Sequence, residues 1–158
     1  MTYWLLKSEP SVFGIDALAK VGEAIWDGVR NYQARNHLKT AQIGDPCFFY
    51  HSNTSVTGIA GLCKVVGVMV ADPTQFDSKS DYYDPKSPKD NPRWHTVKVA
   101  FVEKFPRVVT LDELKATFSG EEFIVVRKGN RLSVNPVSEA VAARILKMAK
   151  QMASSAGA

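Results

Sequence analysis

Hydrophobic residues recur along this chain in short runs of strand character, separated by compact helical stretches and turn signals. Residues 3–7, Tyr3-Trp4-Leu5-Leu6-Lys7, join aromatic and aliphatic side chains and predict a first strand. Ser8-Glu9-Pro10 ends it, because proline lacks an amide proton and restricts the residue before it. Ser11 is placed to cap a short helix through Ala19, with Val12, Ile15 and Leu18 on one face. Residues 24–26 are too few to classify, and Asp27-Gly28 marks a turn before a helix over 31–39. Gly44-Asp45-Pro46 precedes a strand at 47–52, and Asn53-Thr54-Ser55 connects it to a long β run over 57–70. Gly58, Gly61 and Gly67 interrupt that run and predict bulges or sharp bends.

The second half alternates in the same way. Residues 71–93 carry Pro73, Pro85, Pro88 and Pro92 among many polar residues and predict a long loop, a kind usually functional or mobile. Strand periodicity returns over 94–104, with Val97, Val99 and Phe101 on one face. Thr110-Leu111-Asp112-Glu113 is a capping-box pattern opening a short helix to about Phe118. Residues 123–127 and 132–134 predict short strands, and Pro136 and Ser138 open a final helix to about Met148. The predicted fold is α+β, with six or seven mostly antiparallel strands curling toward a barrel and three or four short helices outside. One domain covers residues 1–150, and 151–158 form a frayed tail.

Composition narrows this little. A chain of 158 residues with 45% hydrophobic and 23% charged residues has the balance of an ordinary globular domain. No apolar run approaches the ~18–20 residues that span a bilayer. Lys7 and Glu9 come too early for a signal peptide, so the expected location is cytoplasmic and no membrane partner is expected. Cys47 and Cys63 are read as reduced, buried thiols. The net charge of +4 permits a polyanionic partner without requiring one. Its distribution says more: residues 127–150 hold Arg127, Lys128, Arg131, Arg144, Lys147 and Lys150 against Glu139 alone.

Catalytic patterns are missing. His37, His51 and His95 lack metal-ligand spacing, no nucleophile elbow surrounds any serine, and no glycine-rich phosphate loop lies between strand and helix. No catalytic residue, metal or cofactor is assigned. The densest chemistry lies in Trp26-Asp27-Gly28-Val29-Arg30-Asn31-Tyr32-Gln33-Ala34-Arg35-Asn36. Aromatic faces stack on planar ligands, amides read polar edges and guanidiniums neutralise phosphate, so the segment suggests recognition of a nucleotide or base. Trp26 beside a turn suits a pocket mouth. Arg30 and Arg35 read equally as solvated helix charges or ligand contacts. Tyr50-His51-Ser52 closes a strand with either a buried polar network or a ligand contact, and alternation puts Arg131 and Ser133 on one face.

The chain resembles the EVE domain family of the PUA-like superfamily. The likeness rests on residues 3–10, the 26–36 segment, Gly44-Asp45 with Phe49-Tyr50-His51-Ser52, the Tyr82-Tyr83-Asp84 loop, and Arg131-Leu132-Ser133-Val134-Asn135-Pro136-Val137, covering residues 2–148. It implies a pseudo-barrel of mixed sheet and a concave pocket, related to that of YTH readers of methylated adenine. The pocket would take a modified DNA or RNA base flipped from its stack. Carried onto this chain, the implied pocket residues are Lys7, Ser8, Trp26, Asn31, Tyr50, His51, Ser52, Leu132 and Ser133. The resulting expectation is a non-catalytic reader. Trp26 stacks on the base, Asn31 with Ser8 or Ser52 reads its edge, and Arg30, Arg35, Lys7 and Arg131 hold flanking phosphates. A small enzyme using His51 or Glu9 on a modified nucleotide, and a protein-interaction module using Arg144, Lys147 and Lys150, remain as alternatives.

Overall fold

A computed structural model describes residues 2–151; the expected tail at 151–158 lies outside them except for Gln151. Strands β1 (Tyr3–Ser8), β2 (Glu23–Ile25), β3 (Pro46–His51), β4 (Gly58–Ala71), β5 (His95–Thr110) and β6 (Val134–Val137) form one sheet in the order β2-β5-β4-β3-β1-β6. β1 and β3 run parallel and every other pair is antiparallel. The sheet stays open, with β2 and β6 as its edges, and matches the expected mixed, curved α+β architecture. Its bends fall where the glycines predicted them, since pairing between β4 and β5 shifts register around Gly61 and Gly67. A Cβ on Gly61 would sit 2.5 Å from the Glu103 carbonyl oxygen and 2.8 Å from Ile15, so that bulge excludes any side chain.

Among the described residues five α-helices flank the sheet: α1 (Pro10–Phe13), α2 (Ile15–Val21), α3 (Tyr32–Thr40), α4 (Leu111–Thr117) and α5 (Glu139–Lys150). Among the described residues no helix is long and apolar enough to cross a membrane. Side chains capping free amides set several boundaries. Asn31 Oδ1 accepts from the Ala34 N–H, Ser138 Oγ from the Val141 N–H, and Thr110 and Glu113 form the expected capping box. The single helix expected from Ser11 is instead two. Pro10 takes the first helical position after Glu9, where its missing N–H costs nothing, and extended backbone at Gly14 separates α1 from α2.

Other differences are local. Residues 124–126 form a 3-10 turn rather than a strand, β6 begins at Val134 rather than Leu132, and β5 runs on to Thr110. The unclassified residues around Ala24 pair with β5 as an edge strand.

Both sheet faces are covered, which explains the nearly unbroken apolar run of β3. Cys47 and Phe49 join one cluster with Trp4, Leu6, Trp26, Ile15, Leu18 and Leu38. Phe48 and Tyr50 point the other way, into a cluster with Leu5, Phe105, Leu114 and Ile145. α5 buries Val141, Ala142, Ile145, Met148 and Ala149, a stripe at helical spacing. Cys47 and Cys63 face each other across β3 and β4 as free, buried thiols.

Candidate functional site

A cavity of about 1190 Å³ opens where the ends of β1, β2 and β3 meet α1 and the 72–84 loop. Lys7 and Ser8 enter from β1, Val12 and Phe13 from α1, Trp26 to Arg30 from the segment after β2, Ser52 from beyond β3, and Arg131 and Ser133 from before β6. Glu9, Ala24 and Ile25 line it as well, and Pro73, Thr74, Ser80 and Tyr82 make the long loop one of its walls.

That loop is held by the residues expected to bind phosphate. Arg30 Nη1 donates to Asp72 Oδ2 at 3.0 Å, Nη2 to Thr74 Oγ1 at 3.0 Å, and Nε and Nη2 both to the Tyr82 carbonyl oxygen. Asp72 is buried and also accepts from the Gly28 N–H at 2.9 Å and from both Thr74 donors. Burial alone would raise the Asp72 pKa, but the hydrogen bonds from Thr74, Gly28 and Arg30 outweigh it and hold the carboxyl below its usual range. Gly28 has φ +84, and a Cβ there would meet the Tyr82 ring at 2.7 Å, so the loop closes onto bare backbone. Arg30 is therefore the clasp between the 26–30 segment and the loop.

Arg35, in the first half of α3, does comparable work. It donates to the Arg93 carbonyl oxygen and lies 4.8 Å from the Tyr32 ring centre, while Tyr32 stacks on Trp94 at 5.0 Å and 16°. Trp94 Nε1 donates to Asp84, and the fully buried Gln75 donates to the Asp72 and Trp94 carbonyls while accepting from Ser87 Oγ and the Trp94 N–H. A buried glutamine with both amide ends satisfied fixes the register of the whole loop.

The remaining expected residues divide. Lys7, Ser8, Trp26, Ser52, Arg131 and Ser133 line the cavity together. Trp26 is only 6% exposed, with its ring edge-on to Phe49 at 5.2 Å, so a margin rather than a free face reaches the opening. Asn31 lies outside the main cavity, with its side-chain oxygen committed to capping α3. Leu132 borders the same second groove as Asn31. Tyr50 faces the opposite cluster, and burial pushes its phenol up to about 12. Lys7 Nζ lies 5.5 Å from that ring, and burial lowers the lysine pKa. Missed from sequence were Phe13, Asp27, Thr74 and Ser80. One signal existed for the loop wall: Asp72-Pro73-Thr74 reads as a cap, a proline at the first helical position and a turn.

His51 is a support rather than a cavity wall. Its Nε2 accepts from the Ile15 N–H at 3.1 Å and so anchors the start of α2. Burial lowers its pKa, with Asp16 opposing and Lys104 assisting. The folded state therefore takes up this proton less readily than the unfolded chain. The contribution is whole above about pH 6.5 and falls as pH drops from there toward the lower folded value. His95, also lowered by burial, adds the same sign. The melting temperature should fall from pH 7 to pH 5, and less so in His51→Gln. Parallel profiles for the two proteins would show that His51 is not the link.

A curved, open mixed sheet with a large cleft at its strand ends defines an α+β architecture with a candidate ligand site. Residues 2–148 match the EVE domain, and the chain belongs to that family. It is 40% identical to human thymocyte nuclear protein 1, the match covering 87% of this chain and 69% of that protein. It is 47% identical to the zebrafish (Danio rerio) protein of the same name, over 71% of this chain but only 53% of that one. Among solved structures, a Pseudomonas putida protein is 48% identical at a TM-score of 0.90, covering 93% of this chain and 99% of that one. The human THYN1 protein, solved in complex with DNA containing 5-methylcytosine, is 38% identical at a TM-score of 0.87, covering 96% and 99%.

Proposed function

We propose that this chain is a nucleic-acid-binding domain whose cleft receives one modified nucleobase and performs no chemistry on it. The observation that carries the reading is the likeness, over 96% of this chain, to a human protein solved with 5-methylcytosine DNA. The cleft supports it. Its volume of about 1190 Å³ admits a base with its sugar, and Phe13, Tyr82 and the margin of Trp26 offer flat apolar surface. Stacking on such surfaces is worth roughly 1–3 kcal/mol per base, set against an extrusion cost of a few kcal/mol.

Edge reading falls to groups with free hydrogen-bonding capacity. The Ser52 and Ser133 hydroxyls line the cleft with no side-chain hydrogen bond among the described residues, and the Asp27 carboxyl lines it with only its own backbone N–H as a hydrogen-bond partner there. Burial, then repulsion from Asp72, raises the Asp27 pKa, while Arg30 opposes the rise. A carboxylate here accepts from an exocyclic amino group such as that of a cytosine.

Anisotropy titrations with matched oligonucleotides carrying 5-methylcytosine, cytosine or thymine at one position test this. The methylated cytosine should bind at least about tenfold more tightly than either other base, and Asp27→Asn should erase the preference over thymine, as expected for a lost charged hydrogen bond. Equal affinity for all three would reject base reading by this cleft.

A further inference from the structure

Beside the main cleft lies a second groove of about 400 Å³, and Arg131 borders both. Its outer lip is the turn carrying Arg127, Lys128 and Arg131, and no carboxylate lines it. All three cations are exposed, and none is within ion-pair distance of an acid among the described residues, in contrast to Arg30, Arg93 and Arg107. The turn that presents them is fixed from below. Asn130 donates to Asn135 Oδ1 and accepts from the Leu132 N–H, and the fully buried Asn135 donates back to the Leu132 carbonyl. The Asn130 N–H closes the turn on the Arg127 carbonyl.

We infer that this groove seats the backbone phosphates of the strand whose base occupies the neighbouring cleft, with Arg127, Lys128 and Arg131 as their contacts. The inference rests on the reading of the cleft as a base site. It moves phosphate binding away from Arg30 and Arg35, whose guanidiniums hold the loop and Trp94. Continuity through Arg131 is the geometric argument: one residue can touch a nucleotide at both its base and its phosphate side. A fixed turn adds to it, because the backbone that carries the cations along the groove is set before any ligand arrives and only their side chains are ordered on binding.

The test uses the whole chain and a double variant, Arg127→Gln with Lys128→Gln. Titrations cover a range of salt concentrations against single-stranded oligonucleotides with and without 5-methylcytosine. Affinity for both oligonucleotides should fall by about tenfold, leaving their ratio unchanged, because phosphate contacts carry no base information. The slope of log affinity against log salt should drop by about 0.7 for each phosphate contact removed. Arg144→Gln with Lys147→Gln removes the same charge from the exposed side of α5 and should change affinity less than about threefold. Wild-type affinity and slope in the groove variant, or an equal loss in the α5 variant, would overturn the assignment. So would equally tight binding of polyglutamate, which would make the groove a general acidic-chain site. Absence of any preference for 5-methylcytosine in the unaltered protein would instead reject the base reading, while a groove-dependent salt slope would leave the phosphate seat standing.

Discussion

Asp72→Ala should lower the unfolding free energy by about 3–5 kcal/mol, the usual cost of breaking a buried ion pair and stranding its partner. Asp72 accepts at once from Arg30, the Gly28 N–H and both donors of Thr74. Its loss leaves a guanidinium with 22% exposure without its ion-pair partner and a glycine amide with no acceptor. For a chain of this size the melting temperature should fall on the order of 10 °C. Loop residues 72–84 should then gain protease sensitivity before the sheet does, because the clasp joins the loop to the 26–30 segment. A melting temperature within 2 °C of wild type would show that Arg30 finds equivalent partners without it. The pH dependence carries the same sign. The Asp72 carboxyl is depressed in the fold, so its contribution is whole above about pH 3.9 and declines as pH falls toward the folded value.

Trp26→Ala should cost a similar 3–5 kcal/mol, through the cavity left in the cluster shared with Phe49 and Phe13. The backbone at this position is tied on both sides, since the Trp26 N–H donates to the Val97 carbonyl and its own carbonyl accepts from Thr96 Oγ1. Those backbone bonds survive the substitution, so the loss falls on the side-chain packing and on the pocket wall. Lost nucleic-acid binding in that variant would be ambiguous, so Trp26→Phe is the sharper probe. It keeps an aromatic body against Phe49 while shortening the margin that reaches the cleft. The expected result is a nearly native melting temperature with affinity lowered about tenfold, the size of one stacking contact. Unchanged affinity in a folded Trp26→Phe protein would assign the stacking to Phe13 or Tyr82.

These two positions mark how far local pattern reaches. Strands, the capping box at Thr110, the Ser138 cap and the bulges around Gly61 and Gly67 were legible because each depends on residues within a few positions of one another. The choice of sheet face for Tyr50 was not. β3 is buried on both sides, so its alternation is masked by apolar residues throughout.

What the chain alone determined is therefore its local grammar and its inventory: an α+β domain of the EVE type, with aromatic, amide and cationic groups gathered at residues 26–36 and 127–133. What tertiary structure decided is which of those groups are free to act. Arg30 meets Asp72 from 42 residues away and Arg35 meets Arg93 from 58, so both cations of the 26–36 segment are taken up in holding a loop. Asn31 is taken by a helix cap, and among the described residues the three cations of the 127–131 turn have no ion-pair partner beside the cleft. The reason is physical: a side chain's availability depends on the partners folding brings to it, and those partners are distant in sequence.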